Sequence, residues 1–105
     1  MVIMMTKDSL IDTKMEFLEY IKIKKAEIIT LKHLISLKET ELLLNTDFKE
    51  LGLTNEKQRT AYINDELRLE KQNLDWLKYD LQVREYDVEI INDLIRQGEK
   101  NGIKE

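Results

Sequence analysis

NEKQRTAYINDELRLEKQNLDWLKYDLQVREYDVEIINDLIRQ, residues 55–97, runs for forty-three residues without proline or glycine and carries an apolar residue at almost every helical turn. With neither helix breaker present, the stretch is expected to form one long helix. Leu67, Leu74, Leu81, Val88 and Ile95 repeat at seven, with Ile63, Leu77 and Ile91 between them. That is the pattern of a coiled-coil seam. A second file, Tyr62, Leu69, Trp76, Val83 and Ile90, also repeats at seven and has Tyr79 and Tyr86 beside it. At 100° per residue it lies roughly 160 to 200° from the first. A helix apolar on two opposed faces needs two partners, and the chain offers one further helix. The second surface is therefore expected to come from outside the chain, most simply from another copy of it.

The remaining 62 residues of the 105 supply the other elements. Apolar residues make up 42% and charged residues 36%, with no proline and three glycines, a composition of helical and coiled-coil proteins and one domain's length. The expected fold is all-α. Phe17, Ile21, Ile28, Leu31, Ile35 and Leu42 keep heptad spacing, so residues 9–44 are expected to form a second long helix, with Ser9 and Asp12 as its capping box. Lys14, Lys24 and Lys38 interrupt this seam, each expected to lay its stem over it and lift its ammonium to the edge. Asp47 with Glu50, closed by Gly52, predicts a single helical turn over 47–51, with Phe48, Leu51 and Leu53 plugging the end of the bundle. Asn55 or Thr54 then caps the long helix. Arg59, a cation in its first turns, is expected to have a specific carboxylate among Asp47, Glu50 and Glu56. The tail 98–105, which begins at a glycine, is expected to fray.

A ten-residue connection permits an antiparallel two-helix hairpin in which paired residue numbers sum to about 99. This register sets Lys24 near Asp75, Lys14 near Glu85, Lys32 near Glu66 or Glu70, and Arg84 near Asp12, Glu16 or Glu19. Only Lys38 is left without an opposite charge. Val2 to Met5 would pack on Ile91, Leu94 and Ile95. With its second face covered by a copy of itself, the hairpin becomes a four-helix bundle.

Chemistry is sparse in this sequence. The chain has no cysteine and a single histidine, His33, which points away from the seam and is read as a surface residue. No His-x-x-x-His or Glu-x-x-His pair, glycine-rich phosphate loop or nucleophile elbow is present. No catalytic, cofactor or metal residue is assigned, and the chain is expected not to be an enzyme. Met1 to Met5 is too short for a signal-peptide core or a membrane span, so the expected location is the cytoplasm.

Tyrosine and tryptophan are enriched in protein interfaces, and the seam already supplies an aliphatic core. Tyr62, Leu69, Trp76, Tyr79, Val83, Tyr86 and Ile90 are therefore the expected interface. Net charge is −4, with residues 1–38 holding seven lysines against five acids and residues 39–105 holding ten cations against sixteen acids. Complementarity between helices explains this asymmetry most simply. The alternative is a nucleic-acid-associated protein using Lys22, Lys24, Lys25, Lys32 and Lys38, but Asp65, Asp75, Asp80, Asp87 and Asp93 surround the aromatics and would repel phosphates.

The run from Asp47 to Tyr62, DFKELGLTNEKQRTAY, resembles a segment with the pattern Leu-x-Leu-Thr-Asn-Glu-x-x-Arg-x-Ala-Tyr in small uncharacterised helical proteins of Gram-positive phages and prophages. Those proteins place it before a long charged helix. The resemblance implies a phage or prophage accessory role, of the kind carried out by binding host or phage proteins.

Overall fold

The computed structural model describes residues 6–100, Lys100 by its backbone alone. Among them are three helices and no strand: α1 (Lys7–Asn45), α2 (Glu56–Glu66) and α3 (Arg68–Lys100). The chain divides into two compact units, one of Met1–Ala26 with Tyr79–Glu105 and the other of Glu27–Lys78.

α1 begins two residues earlier than the capping-box spacing suggests. The Thr6 hydroxyl accepts the Ser9 N–H at 3.1 Å and the Thr6 carbonyl accepts that of Leu10 at 3.0 Å, so Thr6 is the cap and Ser9 lies inside the helix. At the far end of α3, Gly98 is helical, because α3 runs on to Lys100. The contacts expected for Val2 to Met5, and the tail beyond Lys100, lie outside the described residues.

The turn between α1 and α2 forms as its residues require. The Glu50 N–H donates to Asp47 Oδ1 at 3.0 Å. Gly52 has φ +73°, with its N–H on the Lys49 carbonyl at 3.1 Å and the Leu53 N–H on the Phe48 carbonyl at 2.8 Å. These two bonds make a Schellman closure, which needs the left-handed residue that glycine supplies. Asn55 caps α2, its Oδ1 accepting the Gln58 N–H at 2.8 Å, and Gln58 Oε1 reaches back to the Thr54 N–H at 2.9 Å. Arg59 is exposed and forms no ion pair with Asp47, Glu50, Glu56 or any other described carboxylate.

The expected single helix over 55–97 is divided at Leu67, whose φ of −103° and ψ of 15° leave the helical region. Its N–H still bonds the Ile63 carbonyl at 3.0 Å, and its carbonyl accepts the Lys71 N–H at 3.0 Å. The hydrogen-bond ladder is therefore bent at one residue and not lost. No proline or glycine causes the bend. It falls at the most buried core residue of the chain, Leu67 being 3% exposed.

In the Glu27–Lys78 unit, Leu67 packs with Ile35 and Ile63, and Leu31, Leu42, Phe48, Tyr62 and Leu74 close around them. Phe48 meets Tyr62 edge to face at 6.1 Å. Leu51, expected in this plug, is 52% exposed. Lys38, expected to be unmatched, bonds Glu70 at 3.0 Å, and Glu39 pairs with Lys71 at 3.1 Å. Lys32 is exposed and forms no ion pair with Glu66 or Glu70.

In the unit of Met1–Ala26 with Tyr79–Glu105, Leu10, Ile21 and Ile91 are buried. Lys7 pairs with Glu99 at 2.6 Å, and the Tyr20 hydroxyl donates to Asp80. Lys14 is half-buried, as a stem lying on the seam would be, but forms no ion pair with Glu85. Arg84 pairs with Asp87 on its own helix, at 3.1 Å, instead of with an acid of α1.

Candidate interaction surface

The seam residues of α3 are buried or half-buried, which turns its second file outward. Leu69 is 68% exposed, Trp76 70%, Tyr79 60%, Val83 39%, Tyr86 63% and Ile90 45%. Six of the seven expected interface residues thus lie on open surface along one helix. Tyr62 does not join them. It is half-buried, because the Phe48 ring of the turn and the core layer cover it.

α1 also presents apolar residues that its heptad reading left unassigned. Ile11, Met15, Leu18 and Ile23 are 38 to 60% exposed in one unit, and Ile29, Leu37 and Leu44 are 55 to 79% exposed in the other. Their sequence signal is the large number of Ile and Leu residues between seam positions, which a search for one apolar face passes over.

Acids flank the α3 file. Asp80 accepts from Tyr20, Asp87 from Arg84 and Asp93 from Arg96. The bond to Asp80 raises the Tyr20 phenol pKa, because ionisation would lose it. Partial burial and the Asp80 charge act in the same direction, against a smaller opposing effect from Lys24 and Arg84. Glu70 is lowered, first by the hydrogen bond from Lys38 and then by one from the backbone.

Two grooves lie in the Glu27–Lys78 unit. One, of about 330 Å³, runs between Lys38, Glu41, Leu42, Glu66 and Glu70; the other, of about 590 Å³, runs between Glu39, Phe48, Arg59, Ile63 and Lys71. In the first, Lys38 is held by Glu70; in the second, Lys71 is held by Glu39 and by Asn64. Among the described residues no cluster of three His, Cys, Asp or Glu side chains could hold a metal ion, and no helix is long and apolar enough to cross a membrane. His33 is exposed. Compared with protein-family models, with curated proteins and with solved structures, the chain matches none of them.

Proposed function

We propose that this chain is a non-enzymatic protein-interaction or adaptor protein, built as an antiparallel helical hairpin that dimerises into a four-helix bundle. Its setting is the cytoplasm, as a phage or prophage accessory protein that binds itself and a host or phage protein. The carrying observation is the open apolar file on α3, with Trp76 70% exposed near its middle. Solvent-exposed apolar stripes of this kind mark docking surfaces. Burying each such side chain stabilises by about 1.5 to 3 kcal/mol.

Nucleic acid is the weaker reading. Of the five lysines it would use, Lys38 is engaged by Glu70 and Lys24 lies 5.2 Å from the centre of the Tyr20 ring.

Trp76→Glu tests the proposal. It places a charge in the middle of the file and should shift light scattering from dimer toward monomer while circular dichroism keeps most of its helical signal. A wild-type chain that stays monomeric at high micromolar concentration, or a Trp76→Glu dimer as tight as wild type, would remove the self-association part of this reading.

A further inference from the structure

Within the Glu27–Lys78 unit, the back of α1 is apolar and carries no Asp, Glu, Lys or Arg. At about 100° per residue, Ile29, Leu37, Leu43 and Leu44 share a face roughly 120° wide, with His33, Ser36 and Thr40 between them. The core residues Leu31, Ile35 and Leu42 lie on the opposite side of the helix. Every residue of the outer face is exposed, Ile29 by 69%, Leu37 by 55%, Leu43 by 56% and Leu44 by 79%. The two flanks of the face differ. Leu37 and Leu44 form one, while Lys32 and Glu39, opposite in charge and one heptad apart, lie along the other.

We infer that this face packs against the same face of a second copy, the two α1 helices running antiparallel about a two-fold axis beside Ser36. The flanks decide both the partner and the direction. In a parallel pair each flank meets the opposite flank of the other helix, which would set Lys32 and Glu39 against leucines. In an antiparallel pair each flank meets its own counterpart. When paired residue numbers sum to about 71, Lys32 faces Glu39 of the second copy, and the two-fold axis repeats the pair with the roles exchanged. Lys32 is exposed and forms no ion pair among the described residues. Glu39 holds Lys71 at 3.1 Å, but a carboxylate has about four lone-pair sites and accepts a second donor. Opposite charges at the rim of an apolar contact select the partner and its orientation more than they add raw affinity. This contact does not rest on the α3 file. Its seam holds His33, Ser36 and Thr40 and no aromatic residue, so it is the weaker of the two and joins copies at higher concentration.

The chain has no cysteine, so introduced cysteines report the register directly. Ser36→Cys lies beside the axis and should give a disulfide-linked dimer under mild oxidation by copper phenanthroline. The two copies of Ile29→Cys would stand about 20 Å apart along the helices at 1.5 Å per residue, beyond disulfide reach, and should link about tenfold more slowly. Ile29→Cys/Leu43→Cys, which the register brings together, should link as readily as Ser36→Cys. Adding Lys32→Glu to Ser36→Cys sets like charges across the flank and should slow linking about fivefold. The same order of rates should hold in chains that also carry Trp76→Glu. Equal rates for Ser36→Cys and Ile29→Cys would overturn the inference. So would Ser36→Cys linking that Lys32→Glu leaves unchanged or that Trp76→Glu abolishes. None of these results touches the α3 contact, which light scattering of Trp76→Glu reads separately.

Discussion

The guanidinium carbon of Arg84 stands 4.6 Å from the centre of the Phe17 ring and 5.0 Å from that of Tyr20. A planar, weakly hydrated cation gains more from aromatic faces than a lysine ammonium, with its tighter hydration, does. Nη1 bonds Asp87, while Nε is buried and lacks a hydrogen-bond partner. Arg84→Met keeps the apolar stem and removes the unpaired donor, so it should unfold within about 1 kcal/mol of wild type. Arg84→Ala loses the packing as well and should cost about 1 to 2 kcal/mol. Urea midpoints separate the two, and equal losses would show that charge, not packing, is what Arg84 contributes.

Leu67 and Leu69 are two residues apart and lie in opposite environments, 3% and 68% exposed. Leu67→Ala would open a cavity beside Ile35 and Ile63 and should cost about 2 to 5 kcal/mol. Leu69→Ala, measured at a concentration too low for association, should stay within about 0.5 kcal/mol. Thermal unfolding of both variants at the same low concentration checks the contrast.

The seam was legible because burial on one helical face imposes a seven-residue repeat: Ile21, Ile28 and Ile35 on α1, with Ile63, Leu67 and Ile91 across from them, are all buried. The turn was legible because few residues tolerate what it demands, and Gly52 and Asn55 are among them. The α3 file was legible as a second period of seven, save Tyr62. What escaped the sequence depends on local competition. Thr6 and Ser9 are both good caps, and only geometry decides between them. Arg84 had acids and aromatic rings equally near in register, and the rings with its own Asp87 won. The break at Leu67 has no proline or glycine to announce it, and Tyr62 leaves the outward file because Phe48 covers it. The outer face of α1 was hidden because His33, Ser36 and Thr40 interrupt its apolar residues.

Gly52 has nothing within 4 Å of an added Cβ, so substitution there tests backbone conformation without a steric clash. At φ +73° an alanine is strained. Gly52→Ala should cost about 1 kcal/mol, and Gly52→Asn, which tolerates the left-handed region better, should cost less. Asn55→Ala removes the bond to the Gln58 N–H and should cost about 1 kcal/mol, with faster amide exchange at Gln58. A Gly52→Ala chain as stable as wild type would mean that the turn readily takes another closure.

Tyr20 and Glu70 give the stability profile opposite limbs. The Tyr20 phenol is raised by its bond to Asp80, so its contribution is complete below the unfolded phenol value of about 10 and is lost as pH rises through the higher folded value. Glu70 is lowered by its bond from Lys38, so its contribution is complete above the unfolded value of about 4.3 and is lost as pH falls through the depressed one. Tyr20→Phe should flatten the alkaline limb and leave the acid limb alone, and Glu70→Gln should do the reverse. Denaturant midpoints across pH measure both, and an ultraviolet titration of phenolate in Asp80→Asn should show Tyr20 ionising at lower pH than in wild type. An Asp80→Asn titration identical to wild type would mean that the Tyr20–Asp80 bond is not held in solution.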